Sequence, residues 1–187
     1  MDKLFLEWNK IVNIDELILR ENELRGMSGI YVWGWPDMDK EFVPYYIGKS
    51  GNLRQRLFDH LGKLKGGMSS IYSMQYAQSK DFTPQDNQDD DKLLYVPSTI
   101  ENWEKIFRSN AVQESLSWLL DNLMFSWCKT DSAHNVDLER LIFKLINANN
   151  NTPKVGAKVP GDSKLSIGDV SFSGDETLRK LCTPCNH

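Results

Sequence analysis

The sequence predicts a mixed α/β chain of the α+β kind, and three observations predict it. Two short apolar segments, 29–33 and 43–48, alternate side chain by side chain and are joined through a stretch rich in turn formers. Behind them Leu53, Leu57, Leu61 and Leu64 recur at helical spacing. A second helical stripe, Leu138, Leu141, Ile142, Leu145 and Ile146, follows a short aromatic segment that reads as a further strand.

Taken in order, residues 1–28 form an N-terminal helical extension. Leu4, Leu6, Trp8 and Ile11, then Ile14, Leu17 and Ile18, make apolar stripes that suggest one or two short helices packed on the domain. Ile30 and Val32 then alternate with Tyr31 and Trp33, the period of a strand with one buried face. The segment from Val43 to Gly48 repeats the pattern, with Tyr45 and Ile47 on one side and Tyr46 on the other. Gly34 to Lys40 supplies a hairpin connection. With Ile30 and Ile47 in the core, Tyr31 and Tyr46 share the opposite face. Gly51-Asn52 breaks the second strand, and Asn52 is a good N-cap with Gln55 at the capping-box position. Arg56 and His60 stand four apart, neighbours on the flank of the leucine stripe, with Lys63 on the same flank. The tyrosine face and this helix flank are expected to line one concave surface.

Residues 66–98 read as an insertion. Gly66-Gly67 ends the helix, and 75–91 is polar, acidic and interrupted by Pro84, as expected of a surface loop. Asp86, Asp89, Asp90 and Asp91 invite a calcium reading, but the glycine and terminal glutamate of a calcium loop are missing. Lys92 to Val96 suggests an extra strand. The segment 98–121 reads as helical, capped by Ser98 or Thr99, and Leu123 to Cys128 as the third strand. The tryptophans are expected as core and interface anchors rather than stacking platforms for bases. Glu139 falls at the edge of the stripe on a helix from about 135 to 147. In the C-terminal extension, 154–187, Ser166 to Ser173 suggests a strand and Asp175 to Leu181 a short helix. Cys182, Cys185 and His187 have the spacing of a zinc half-site, with Cys128 or His134 as further ligand, or else form a frayed terminus.

At 187 residues and 40% hydrophobic content the chain is one domain with extensions and has enough apolar material for a core. Three cysteines do not make a disulfide framework. No apolar run approaches a membrane span and the Met1-Asp2-Lys3-Leu4 start is not a signal peptide, so a soluble cytoplasmic protein is expected. A net charge of −4 argues mildly against a partner made of phosphates. The distribution softens this: Lys49, Arg54, Arg56, Lys63 and Lys65 face one acidic residue between 49 and 65, while 81–91 contributes five aspartates.

The tripeptides Gly29-Ile30-Tyr31 and Tyr46-Ile47-Gly48, separated by fourteen residues, are followed by Arg56 eight and His60 twelve residues after Gly48. This combination resembles the signature of the GIY-YIG nuclease superfamily. A glutamate on a later helix and an asparagine after it are matched by Glu139 and, twelve residues on, Asn151 at the end of a run of asparagines. The resemblance covers about 27–66 and 121–153, within a domain of 29–153. It implies a small three-stranded antiparallel sheet flanked by helices and a DNA endonuclease dependent on magnesium or manganese.

The site residues it implies follow from phosphodiester hydrolysis, which needs a base, charge stabilisation and a neutralised leaving oxygen. Glu139 would be the metal ligand. Arg56 would stabilise the transition state with its planar fork. Tyr31 would be the base or water-orienting group, with Tyr46, His60 and Lys49 near enough to lower its pKa or relay its proton. Asn151 would orient the glutamate or bind phosphate, and Lys49 and Lys63 would contact the substrate. Restriction-type cleavage of duplex DNA is the first expectation, with a homodimer on DNA. The alternatives are a structure-specific repair or recombination nuclease and a catalytically silent DNA-binding module.

Overall fold

The computed structural model describes residues 3–79, 92–97, 100–148 and 161–183. In chain order the elements are β1 (Leu4–Trp8), β2 (Val12–Asn13), α1 (Ile14–Leu19), β3 (Gly29–Pro36), β4 (Phe42–Ser50), α2 (Leu53–Lys65), β5 (Ile71–Tyr72), α3 (Met74–Ala77), β6 (Leu93–Tyr95), α4 (Ile100–Arg108), α5 (Asn110–Asn122), β7 (Met124–Lys129), α6 (Asn135–Ala148), β8 (Val170–Gly174) and α7 (Glu176–Leu181).

The main sheet has the order β2-β7-β3-β4 and is antiparallel throughout. It therefore has four strands where three were expected. The fourth, β2, pairs only Val12 with Phe125 and Asn13 with Met124, too short a segment to announce itself by alternation. The expected hairpin of β3 and β4 and the expected third strand β7 are both present, with β3 central between them.

Because β3 is central, both of its faces are covered. Ile30 and Val32 pack with Ile47, Cys128 and the α6 stripe of Leu138, Leu141, Ile142 and Ile146. Tyr31, Trp33 and Trp35 pack with Phe125, Trp127 and the four leucines of α2. The expectation of one exposed face thus fails, and the alternation instead sorts side chains between two cores. Full burial of each α2 leucine is worth roughly 1.5–3 kcal/mol, which fixes the helix against the sheet.

Tyr45 also differs from its expected side. Trp33 pairs with Tyr46 but Gly34 pairs with Pro44, so β4 carries one extra residue at this point. That β-bulge resets the alternation. Tyr45 lies 4.7 Å, ring to ring, from both Trp33 and Trp35 on the Tyr46 face, not beside Ile47.

The terminal segments interlock. Leu4, Leu6 and Trp8 belong to a strand and not to the expected helix: β1 pairs in parallel with β8, from Leu4 opposite Val170 to Trp8 opposite Gly174. Their spacing of two is strand spacing, with Leu6 and Trp8 buried and Phe5 80% exposed. Helices do follow at Ile14–Leu19 and, capped by Asp175, at Glu176–Leu181. The segment read as helical from 98 is split into α4 and α5, because Ser109 leaves the helix and caps α5 through its hydroxyl on the Val112 N–H. The extra strand expected near 92–96 is β6, paired with β5.

Trp8, Trp33, Trp35 and Trp127 are all buried, as core tryptophans should be. Cys182 is also wholly buried, packed in the α6-side core near Cys128, and burial pushes its thiol up, which disfavours the thiolate a zinc ion needs. Cys185 and His187, like the acidic stretch 81–91, lie outside the described residues. Among the described residues no helix is long and apolar enough to cross a membrane.

Candidate active site

The two glycines of the tripeptides are held by close approach. Tyr31 stands opposite Gly48 in the β3–β4 register. A Cβ at Gly48 would lie 2.4 Å from Tyr31 Oη and 2.7 Å from Tyr46 Cε1, so the absent side chain is the space the phenol occupies. A Cβ at Gly29 would lie 2.2 Å from the Cys128 carbonyl oxygen, where β3 meets β7. Gly48→Ala is expected to cost about 1–3 kcal/mol of stability, the usual cost of overpacking, read as a lower urea midpoint at unchanged slope.

Helix α2 supplies the partners of Tyr31. Asn52 Oδ1 accepts the Gln55 N–H at 3.3 Å. The reciprocal arm of a capping box is replaced, since the Asn52 N–H donates to Ser50 Oγ at 3.0 Å. The helix ends at Gly66 and Gly67, the latter at φ +67°, with the Met68 N–H returning to the Lys63 carbonyl at 2.8 Å. Between these stops the leucine stripe faces the core, and Arg56 and His60 are presented one turn apart toward Tyr31.

Arg56 Nε donates to Tyr31 Oη at 3.1 Å. Tyr31 Oη lies 2.7 Å from His60 Nε2. The phenol oxygen accepts from Arg56, and an imidazole that carries its hydrogen on Nδ1 offers Nε2 as an acceptor for the phenol proton. The Tyr46 ring stacks on Tyr31 at 5.9 Å and lies 5.1 Å from His60. Four of the expected residues, Tyr31, Tyr46, Arg56 and His60, thus form one connected cluster.

Burial sets the protonation states here. It raises the Tyr31 pKa, Tyr46 adds to the rise, and the Arg56 hydrogen bond opposes it without prevailing. Of the two routes expected for Tyr31, a lowered pKa is therefore opposed and a proton relay is left. His60 is pulled down to about 4, first by burial and then by the Arg56 and Lys63 charges. It is neutral at pH 7 and free to accept from the phenol.

A stability effect follows. An unfolded histidine protonates near 6.5, whereas His60 resists until about 4. In that window the unfolded chain binds the extra proton, so this contribution is whole above about 6.5 and is lost as pH falls toward 4. Urea midpoints measured across the window are expected to drop for the wild type and to drop less for His60→Gln.

Lys49 and Glu139 are not part of this cluster: they meet on the opposite face of the sheet, so Lys49 does not stand beside the Tyr31 hydroxyl, where it was expected. Lys49 pairs with Ile30 in register, which puts it on the α6 side of the sheet, where its Nζ donates to Glu139 Oε2. The Glu139 side chain is 10% exposed and that of Lys49 37%. Glu139 is therefore more than the edge glutamate the periodicity suggested, since it is buried and held. The described residues leave its second oxygen without a hydrogen bond. No three His, Cys, Asp or Glu residues gather among the described residues. The donor set fits a hard cation that takes one carboxylate and keeps its water, as magnesium does, and does not fit an all-protein cage. Lys63 is exposed at a cavity beyond His60. Asn151 lies outside the described residues.

The basic stretch from Lys49 to Lys65 is partly neutralised. Arg54 is held by Glu21 at 2.6 Å and Lys49 by Glu139, whereas Lys63 and Lys65 form no ion pair among the described residues. Sequence reasoning missed the aromatic group Trp33, Trp35 and Tyr45 beside the cluster. The alternation did place Trp33 on the Tyr31 face, but nothing local marks the bulge that brings Tyr45 round. No family model, no curated protein and no solved structure matches this chain.

Proposed function

We propose that the protein is a metal-dependent DNA endonuclease of the GIY-YIG kind, cutting duplex DNA in the manner of a restriction enzyme. The observation that carries the reading is the chain of hydrogen bonds from Arg56 through Tyr31 to His60, built on the two tripeptides. Such a chain holds a permanent cation and a proton acceptor on either side of one phenol, two of the three things phosphodiester hydrolysis asks of a protein, the leaving oxygen being left to the metal.

In this mechanism Arg56 turns the free edge of its guanidinium to the scissile phosphate and stabilises the charge that grows there. Tyr31 takes a proton from the attacking water at Oη while passing its own to His60 Nε2. The low basicity of His60 in the free protein rises when the phosphate charge arrives, because an anion favours the imidazolium. Tyr46 holds the Tyr31 ring in line. Glu139 would hold the magnesium ion, which when bound supplies Lewis-acid stabilisation of the phosphate and leaving oxygen. Lys49 holds and aims the Glu139 carboxylate. One site cuts one strand, so cleavage of both strands calls for two copies on the DNA.

The test is digestion of plasmid DNA in magnesium, with the fragment ends sequenced. Discrete fragments that share a sequence at their ends, and that vanish in EDTA, are expected. Cleavage confined to flaps, junctions or lesions would mark a repair or recombination nuclease instead. Retention of DNA without any cleavage would mark a binding module.

A further inference from the structure

We infer that the cavity beside the tyrosine cluster is a nucleobase pocket, which receives one unpaired base of the strand next to the phosphate held at Arg56; the inference rests on the nuclease reading. The cavity has a volume of about 260 Å³ and its walls include Trp33, Trp35, Tyr45, Tyr46 and Tyr72. Cores normally close such voids. Here the walls prop one another, with Trp33 and Tyr45 at 4.7 Å and Trp35 and Tyr45 at the same distance, so the space is formed in advance.

Its size and chemistry select the occupant. Pockets for drug-sized ligands run from about 300 to 1,000 Å³, so this one suits a single flat ring system. Aromatic walls offer stacking that every base can use. The half-buried hydroxyls of Ser69 and Ser70 line the same space and can pair with a base edge. Lys63, exposed and lining the cavity, supplies a cation for the phosphate of the same nucleotide.

Continuity with the reacting groups is the deciding feature. Tyr46 and His60 belong both to the cavity wall and to the cluster around the Tyr31 hydroxyl. A phosphate at Arg56 therefore has a base-sized space on the far side of His60, and a strand threaded past the site turns one base into it. Tyr45 and Tyr46, the half-buried rings of this wall, then serve as the stacking platform, and the buried Trp33, Trp35 and Tyr72 back them.

The test uses deoxyadenosine and thymidine 5′-monophosphates as probes, with the full chain in EDTA and saturation-transfer NMR as readout. Base protons are expected to take up saturation more strongly than deoxyribose protons. Ser70→Trp, which fills the cavity, is expected to abolish the base signal. Lys63→Glu, at an exposed position that leaves folding intact, is expected to raise the half-saturation concentration about tenfold. Absence of base signal in the wild type, or equal signal in wild type and Lys63→Glu, overturns the pocket. Plasmid cleavage without nucleotide binding fails this inference alone, whereas nucleotide binding without cleavage of any DNA supports the pocket and fails the nuclease reading.

Discussion

Arg56→Ala is expected to slow magnesium-dependent strand cleavage by about 10²–10³-fold, the usual loss when one pre-aimed donor is taken from a developing charge. The residue is only partly buried, so its removal does not open the core, and the helix around it is held by Leu53 and Leu57. What is lost is the cation that donates to Tyr31 Oη at 3.1 Å and that the proposed mechanism turns toward the phosphate. Arg56→Lys is expected to recover little, because an ammonium cannot hold the phenol through one nitrogen and reach phosphate with a parallel pair. Single-turnover rates on an end-labelled duplex, with melting curves for both variants, read this directly. A lysine variant as fast as wild type would assign Arg56 to general charge and not to geometry.

Tyr31→Phe is expected to cost about 10²–10⁴-fold in the same assay, the span of general acid–base contributions. The ring stays, so stacking on Tyr46 and the fit over Gly48 are kept. The hydroxyl goes, and with it both the acceptor for Arg56 and the hydrogen-bond partner of His60. The stability loss should be small beside the kinetic loss, since Arg56 and His60 both retain access to solvent. The pH profile separates the roles. In the wild type the rate is expected to fall as His60 becomes protonated in acid, while Tyr31→Phe should lose that dependence along with its rate.

Much of this site was legible in the sequence because its parts are local. The hairpin, the Asn52 cap and the four-residue step from Arg56 to His60 all lie within a single stretch of chain, where periodicity and turn chemistry speak directly. The α6 stripe was likewise readable, and it put Glu139 close to its observed position. What failed was non-local. Strand β1 finds its parallel partner β8 more than a hundred and sixty residues away, from Leu4 to Val170, and no local pattern reports that. Its spacing of two was present in Leu4, Leu6 and Trp8 but was absorbed into a helical reading by the apolar residues that follow.

The same limit applies within the site. Nothing near Lys49 in the chain announces Glu139, ninety positions on. Nothing near Arg54 announces Glu21, which takes it out of the basic patch. The two-residue β2 is too short to show alternation, and the bulge at Tyr45 breaks the alternation that sorts the faces of β4. That bulge matters most, since it adds a third aromatic ring to Trp33 and Trp35 and so builds the cavity beside His60.

The measurement that tests the central claim most directly is strand cleavage of supercoiled plasmid by the wild-type protein in magnesium, with Glu139→Gln in parallel. Glu139→Gln keeps the size of the side chain and one acceptor for Lys49 while removing the charge a cation requires. The account predicts nicked and linear DNA with the wild type, none in EDTA, and none above background with Glu139→Gln at a temperature where its melting curve shows it folded. Equal cleavage by wild type and Glu139→Gln, or intact plasmid and intact branched DNA with the wild type, would contradict it.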